Sequence, residues 1–375
     1  MLIISKNMKK LFVVFLFFAM FFFAPLVEAN GWLSGYYNRI KIPIDAAKID
    51  AALSDFPVPI KLTSANFDFA KANSDGFDFR FTAADGTTLL KYERERHDST
   101  NKLAEYWVKV PSVSDSADTY IYLYYRTEDT ADGADPENVW DSNYKAVHHL
   151  KDATTSTVLD STANNNDGTK KGANEPIEAT GQIYKGQDFD GSDDKIDTPA
   201  QSLSPTGAFT FEAWFKITAT EGKYLVGQGD DTVNPNEFGA ILAINLNVVS
   251  FGVERYAADW IVIQGTDDIN DDAWHYGVGV YDNGSMALYV DGGADGTATN
   301  TDKANQTTGN QYIGIGNFPR DNGANRLFDG LIDEVRISNV ARSAAWIKAS
   351  YNAGAGSLLK SFVNESLYGN FFLMF

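Results

Sequence analysis

Cysteine is absent from the 375 residues of this chain. Its absence excludes disulfide bonds, a thiol nucleophile and every metal site that depends on thiolate ligands. Histidine is nearly as scarce, with four residues, so a site that needs several imidazoles has few candidates. The fold must therefore depend on core packing, with bound metal as the one further support open to it.

Basic residues are also in the minority. The chain carries 31 Lys and Arg against 50 Asp and Glu, which gives a formal net charge of -19 at pH 7. Such an acidic surface repels nucleic acid and anionic lipid at long range, and it attracts divalent cations. We therefore predict that nucleic acid is not a partner, whereas calcium is a candidate.

The first 29 residues are typical of a secretory signal peptide. Lys6, Lys9 and Lys10 form a basic start, Leu11 to Phe23 is an apolar run, and Val27-Glu28-Ala29 offers a small-x-small cleavage site. An uncleaved anchor is the alternative, but the run is shorter than the roughly 20 residues that cross a bilayer. We predict a signal peptide at 1–29, a secreted or cell-surface protein, and no membrane span in the mature chain.

Alternation of apolar and polar residues is the main structural signal. In FTFEAWFK at 209–216, Phe209, Phe211, Ala213 and Phe215 fall on one side of the run, as in a half-buried strand. FDGLIDEVRIS at 328–338 has the same period, so both segments are expected in one antiparallel sandwich. One helix is predicted at 343–351, with a serine at its N-cap.

The first half contains short strand-like runs between turn signals, which predict a β-sandwich. The strings LSDFPVPIKL, DGFDFRFTAADGTTLLKYE, AEYWVKVPSVS and DTYIYLYYRTEDT occur in this order. Together they resemble the family called domain of unknown function 2341, over residues 31–136. That resemblance implies no known activity.

The second half carries a longer series of motifs after an acidic, turn-forming boundary. AVHHLKD, LDSTANNNDGT, GQDFDGSDDKI, FTFEAWFK and FDGLIDEVRISNVARS together resemble the laminin-G-like, concanavalin A-like jelly-roll family, over residues 140–355. The resemblance implies a jelly roll that binds more often than it catalyses. Residues 356–375 are predicted to be a C-terminal tail, which either docks on the sandwich or continues in a longer polypeptide. The predicted fold is all-β, with two sandwich domains.

No catalytic motif is found. Glycosidases of this fold carry Glu-x-Asp-x-x-Glu on one strand, and neither that string nor Gly-x-Ser-x-Gly occurs. Glu93 and Glu95 share a strand face, but Arg94 and Arg96 alternate with them, so a solvated charged strand is the preferred interpretation. We therefore predict a protein that is not an enzyme.

Structural calcium is the predicted cofactor. Calcium takes six to eight oxygen ligands, which acidic, glycine-containing loops can supply. Asp190 belongs to such a loop, together with Asp193 and Asp194 around Gly191. The jelly-roll resemblance also implies Asp333, because related domains donate an aspartate to calcium from the last long strand. The alternative is that these residues only form Asx turns.

Three aromatic residues are the candidate ligand contacts, because a sugar ring packs its apolar side on an aromatic face. Trp214 lies opposite the core-facing phenylalanines of its strand, and Tyr256 and Trp260 flank the short YAADW loop. Burial of Trp214 under another segment is the alternative. We predict an exported, non-enzymatic surface protein that binds a glycan or a cell-surface protein in adhesion. A glycoside hydrolase or lyase, and a ligand-free envelope module, are the other hypotheses.

Overall fold

A computed structural model describes residues 31–126, 131–172, 175–199, 207–217, 223–229, 239–256, 259–299, 312–319 and 326–367. The predicted signal peptide and the last eight residues lie outside these ranges. The described part of the chain is built from antiparallel strands, which confirms the predicted all-β class. Within it, no helix is both long enough and apolar enough to cross a bilayer.

The strands follow one another in chain order as β1 Asn38–Ile44, β2 Leu53–Thr63, β3 Arg80–Thr82, β4 Tyr92–Asp98, β5 Leu103–Val113, β6 Thr119–Tyr125, β7 Tyr144–His148, β8 Thr169–Lys171, β9 Ile177–Thr180, β10 Lys185–Asp190, β11 Lys195–Asp197, β12 Ala208–Ile217, β13 Lys223–Gly229, β14 Ala240–Asn245, β15 Val248–Tyr256, β16 Asp259–Gln264, β17 His275–Asp282, β18 Ser285–Val290, β19 Gly293–Thr299, β20 Tyr312–Ile315, β21 Asp329–Ser338 and β22 Val363–Ser366. Helix α1 spans Ala344–Gly354. Short 3-10 helices lie at Ala46–Lys48, Phe69–Lys71 and Pro136–Asn138.

The first module is a sandwich of a four-stranded sheet, in the order β22-β1-β6-β3, and a three-stranded sheet, in the order β2-β5-β4. Alternation places Ile40, Ile42 and Ile44 of β1 in the core between them, each fully buried. The fourth strand of the larger sheet comes from the far end of the chain, because β22 pairs antiparallel with β1. The predicted tail therefore contributes a strand to this first module.

The second module packs an eight-stranded sheet against a seven-stranded sheet. The eight-stranded sheet runs β19-β18-β17-β12-β21-β10-β9, with β7 also paired to β21. The seven-stranded sheet runs β16-β15-β14-β13-β20-β11-β8. As predicted, Phe209, Phe211, Ala213 and Phe215 all point into the core, and β12 pairs antiparallel with β21.

A β-bulge in β21 changes the predicted alternation. Trp214 pairs with Asp333 and Glu212 pairs with Arg336, so β21 has one residue more than β12 across this stretch. Glu334 adopts a left-handed backbone with φ 52° at this point. As a result Ile332 and Val335 both face the core. Asp333, Glu334 and Arg336 are left outside it.

The core of the first module extends to side chains of the second module. Trp140, Tyr144, Val147 and Ile183 of the second module belong to the same buried apolar cluster as the strands of the first. Trp346 of helix α1 joins it and packs edge-on against Phe56 of β2, with ring centroids 4.9 Å apart. The three-stranded sheet and the helix therefore cover the outer face of the eight-stranded sheet.

Candidate functional site

Trp214 is buried by helix α1. Its side chain is 3% exposed and stacks on Tyr351 of the helix, with ring centroids 5.6 Å apart at 18°. The helix forms as predicted, since Ser343 Oγ accepts a hydrogen bond from the backbone N–H of Trp346. The prediction that Trp214 lines an open binding face is therefore corrected: the helix occupies that face, and Trp214 is a packing residue.

A cluster of charged side chains lies buried where the modules meet. His149, which follows β7, is 2% exposed. Its Nδ1 lies 2.6 Å from Glu334 Oε1 and its Nε2 lies 3.2 Å from Glu93 Oε2. The ring stacks on Trp107 at 23°, and Arg336 donates to Glu334 Oε2 at 2.7 Å. A protonated imidazole thus joins a carboxylate from each module.

The pKa values in this cluster follow from burial and pairing. Burial opposes the charge on His149, but Glu334 and Glu93 raise its pKa well above the usual range. Burial likewise opposes ionisation of Glu93, yet His149, Lys151 and Ser161 bring its pKa down to about 2. The cluster therefore contains real ion pairs at neutral pH.

The interpretation of Glu93 and Glu95 as members of a solvated strand is wrong. Glu93 is 5% exposed and Glu95 is 6% exposed. Glu95 Oε2 accepts from Trp107 Nε1 at 2.7 Å, and its other oxygen has no partner among the described residues. Burial raises its pKa to about 7. Their arginine neighbours do reach the surface, which is why the sequence pattern misleads.

Asp333 is fully buried beside this cluster. Its Oδ2 accepts from the backbone N–H of Ile183 at 2.8 Å, and its Oδ1 has no partner in the described part of the chain. Burial, with Glu334 next, raises its pKa well above the usual range for a carboxyl. An unpartnered buried carboxylate oxygen is a suitable ligand for a hard cation.

The predicted acidic loop forms an Asx turn. Asp190 Oδ1 accepts from the backbone N–H groups of Ser192 and Asp193, as the alternative to metal binding required. One oxygen from each of Asp190, Asp193 and Asp194 nevertheless lies within 4.8 Å of the other two. Asp194 is 2% exposed, and its Oδ1 has no partner among the residues described. In this loop Asp190 Oδ1 is used by the Asx turn, whereas Asp194 Oδ1 is free of protein partners among the described residues and could bind a cation.

The outer face of the seven-stranded sheet carries a groove of about 390 Å³. Tyr312 and Pro319 supply apolar surface. Charged groups come from Lys171, Lys195 and Asp197 on neighbouring strands and from Asp167 just before β8. Alternation positions them, because Ile196 and Ile313 between them fill the core. Lys171 and Lys195 stand opposite each other across β8 and β11.

Trp260 lies on the same outer face, further along the sheet. It is partly buried and packs edge-on against Phe318, with centroids 5.6 Å apart, and Phe318 in turn packs on Tyr224. Since Phe318 precedes Pro319, this aromatic cluster adjoins the groove. The side chain of Tyr256 and residues 257–258 lie outside the described residues. Trp260 is thus the one predicted contact found near an open polar groove.

Two family models match the chain. Residues 75–166 match the model described as domain of unknown function 2341, and residues 190–348 match that of the Concanavalin A-like lectin/glucanases superfamily. The first match runs beyond the predicted boundary at residue 136 and includes β7. No curated protein matches the sequence.

Solved structures with a similar fold include binding domains of toxins and one domain of an extracellular arabinanase. The binding domain of Paraclostridial Mosquitocidal Protein 1 is 13% identical, with 56% of this chain and 52% of that chain covered and a TM-score of 0.45. Domain 4 of AbnA, a GH43 extracellular arabinanase from Geobacillus stearothermophilus solved with arabinotriose, is 21% identical, with coverages of 55% and 97% and a TM-score of 0.42. The binding domain of botulinum neurotoxin DC in complex with SialylT is 14% identical, with coverages of 57% and 52% and a TM-score of 0.43.

This chain thus spans about half the length of the toxin domains that it matches. Likeness at this level concerns the fold and does not identify a shared ligand. The two family matches, in contrast, stand in the predicted order along the chain. They confirm the resemblance: residues 75–166 are similar to the family called domain of unknown function 2341, and residues 190–348 are similar to the concanavalin A-like lectin/glucanases superfamily.

Proposed function

We propose that the chain is an exported, non-enzymatic surface protein that binds a glycan in the groove on the outer face of the seven-stranded sheet. The observation that carries the proposal is the composition of that groove. The Tyr312 ring and Pro319 provide apolar surface. Lysine and aspartate side chains around them provide hydrogen-bond donors and acceptors: Lys171, Lys195, Asp167 and Asp197. A pyranose needs this combination, because it has an apolar side and a rim of hydroxyl groups.

The position of the groove also favours it over the other sheet face. Helix α1 and the first module cover the part of the outer face of the eight-stranded sheet that contains Trp214 and Val147, so a polymer cannot reach Trp214. The groove is open, and Tyr312 is only partly buried. Trp260 adds a second aromatic surface along the same sheet.

A glycan array probed with the full mature chain tests the proposal. Replacing Tyr312 by Ala should weaken binding about tenfold or more, since truncating a central aromatic contact costs about 1–2 kcal/mol or more. Tyr37 is 42% exposed on the first module, so Tyr37→Ala is the matched control and should leave binding unchanged. Equal binding by both variants would rule out the groove as the site.

A structural calcium ion at Asp333 is the second part of the proposal. The fully buried Oδ1 of Asp333 lacks a partner in the described chain, and the carboxylate is a suitable ligand. Main-chain oxygens and water would complete the coordination, and the ion would supply charge compensation and no catalysis. The loop of Asp190 is a weaker candidate, because one Asp190 oxygen already makes the Asx turn. Treatment with a chelator should lower the melting temperature; an unchanged melt would exclude calcium at both places.

The non-enzymatic assignment is supported by the burial of the acids at the junction of the modules. Glu93, Glu95 and Glu334 converge, but all three side chains are 6% exposed or less and lie between the two modules. A polysaccharide chain cannot reach them there. Turnover of any member of a panel of polysaccharides would instead support a hydrolase or lyase. A protein that neither binds nor cleaves would be the ligand-free envelope module.

Export rests on the basic and apolar pattern of residues 1–29. Mass spectrometry of the protein recovered from outside the producing cell should find Asn30 as the first residue. A chain that retains Met1 and fractionates with membranes would support the uncleaved anchor. If the partner is a cell-surface protein, the chain should bind intact cells but give no signal on the glycan array.

A further inference from the structure

The registers of three neighbouring strands set the order of side chains along the groove. Lys171 of β8 stands opposite Lys195 of β11. Asp197 follows on the same face of β11 and pairs with Gly314 of β20. Because β20 runs antiparallel to β11, Tyr312 lies one step further from the lysine pair than Gly314 does. The lysine pair and Tyr312 therefore lie at opposite ends of the groove, about 13 Å apart along the strands.

The lysine pair has no counter-ion in the described part of the chain. Neither Lys171 nor Lys195 forms an ion pair there, although acidic residues outnumber basic ones in the sequence. Like charges that stand directly opposite on paired strands repel each other. Other lysines of the chain do contact carboxylates, namely Lys91 with Asp135, Lys185 with Glu178 and Lys348 with Asp50. The unpaired lysines at one end of the groove therefore suit an anion from outside the chain.

The net charge of -19 does not prevent an anion from binding at this point. Exposed charges more than about 8 Å away are largely screened at physiological ionic strength. Asp197 and Asp167 are the nearer acids, and both lie on the Tyr312 side of the lysine pair. One oxygen of Asp167 already accepts the N–H of Asp160 at 2.8 Å. The charge in the groove therefore changes sign along its length, from positive at the lysines to negative towards Tyr312.

We propose that the glycan bound in this groove is acidic, with a carboxylate or sulfate group of one sugar between Lys171 and Lys195 and another sugar packed on Tyr312. The inference rests on the proposed glycan site and adds the chemical class of its ligand. An ammonium group binds either anion as a point charge, so both sources of the negative charge fit. Hydroxyl groups of the sugars between the two ends would donate to the aspartates.

Two matched pairs of polymers test the proposal with the full mature chain. Polygalacturonate is compared with its methyl ester, and dextran sulfate with dextran, so that each pair shares a backbone and differs in charge. The parent should bind at least one acidic polymer about tenfold or more tightly than its neutral counterpart, and the affinity should fall as NaCl is added. The polymer that binds distinguishes a carboxylate from a sulfate ester.

Substitutions of the lysines locate the bound anion. Lys171→Gln and Lys195→Gln should each weaken binding of the acidic polymer about fivefold, and the double variant about 25-fold. Replacing both lysines by Arg keeps the charges and should retain the binding. Lys61→Gln is the matched control, because Lys61 is exposed on β2 of the first module. Unchanged binding of the acidic polymer by the double Gln variant would overturn the role of the lysines.

Thermal unfolding of the same variants checks that the lysines are unpaired in the free protein. Removing one of two facing positive charges relieves repulsion, so each Gln variant should melt at the temperature of the parent or slightly above it. A clearly lower melting temperature would show that protein groups already pair with the lysines, and would overturn the inference.

The glycan array separates this inference from the proposal on which it rests. If every ligand whose binding depends on Tyr312 is neutral, the acidic class is overturned and the glycan site stands. If the parent binds neither an arrayed glycan nor any of the four polymers, both are overturned.

Discussion

Replacement of His149 by Leu should destabilise the protein strongly. The substitution keeps an apolar group of similar reach against Trp107 but removes the proton donors to Glu334 and Glu93. A hydrogen bond to a charged group contributes about 1.5–3 kcal/mol, so two such bonds correspond to about 3–6 kcal/mol. Arg336 and Lys151 still face the two carboxylates and offset part of the loss. The expected cost is about 3–5 kcal/mol, as for other broken buried ion pairs.

Equilibrium unfolding in urea measures this loss, with the fluorescence of Trp107 and Trp140 at the junction as the signal. Arg94→Leu is the matched control, since it breaks the Arg94–Asp132 ion pair at the surface, where the side chains are 17% and 36% exposed. A pair of that kind contributes about 0–1 kcal/mol. If His149→Leu costs no more than the control, the buried cluster does not hold the modules together.

Three further outcomes are expected. Trp214→Ala should cost about 3–5 kcal/mol in thermal or urea unfolding, because the ring fills the space under Tyr351; a loss below about 1 kcal/mol would show that the helix does not depend on it. His97, whose Nδ1 contacts the Tyr106 hydroxyl, has its pKa lowered by burial to about 4 from an ordinary value of 6.5. As pH falls, the unfolded chain therefore protonates His97 before the folded chain does, so the free energy of unfolding should decrease between pH 6.5 and 4, by at most about 1.4 kcal/mol per pH unit. His97→Gln should reduce this pH dependence in unfolding curves. An unchanged pH dependence in the variant would show that other groups cause it. Ser343→Ala should cost about 0.5–2 kcal/mol by removing the helix cap, whereas Ser343→Asp should retain most of the stability.

Local pattern was enough to predict the elements whose environment is set by their own sequence. The alternation at Phe209 to Phe215 predicted which side chains fill the core, because a strand has one inner face whatever its neighbours are. Ser343 predicted the start of the helix for a similar reason, since a cap bonds only to the next turn. Such features need no knowledge of the rest of the chain.

The junction could not be predicted in this way. Glu93 and His149 are separated by 56 positions, and His149 and Glu334 by 185, so the partners that make burial tolerable are remote in sequence. Arg94 and Arg96, which alternate with Glu93 and Glu95 in β4, indicated a solvated strand, because their own guanidinium groups are partly exposed. The residue with the left-handed backbone at the bulge is Glu334 and not a glycine, so the local sequence does not indicate the bulge.

The groove was missed for the same physical reason. Tyr312 and Lys171 lie on strands from distant parts of the chain and meet only when β20, β11 and β8 come together in the sheet. Taken singly, each is an ordinary strand residue with no motif around it. A pattern search over short windows therefore favoured Trp214, whose strand was conspicuous, and the helix that covers it follows more than a hundred residues later.

The pairing of β22 with β1 makes the jelly roll an insertion within the other sandwich. Arg39 and Glu365 form an ion pair at 2.7 Å although 326 positions separate them. During synthesis the four-stranded sheet of the first module cannot be completed until almost the whole polypeptide has been made, because β22 is its last strand. Contacts of such long range in sequence also form slowly. Until then the bare side of β1 can accept the equivalent strand of a second nascent molecule, so exchange of this segment between copies is the characteristic misfolding hazard of the architecture.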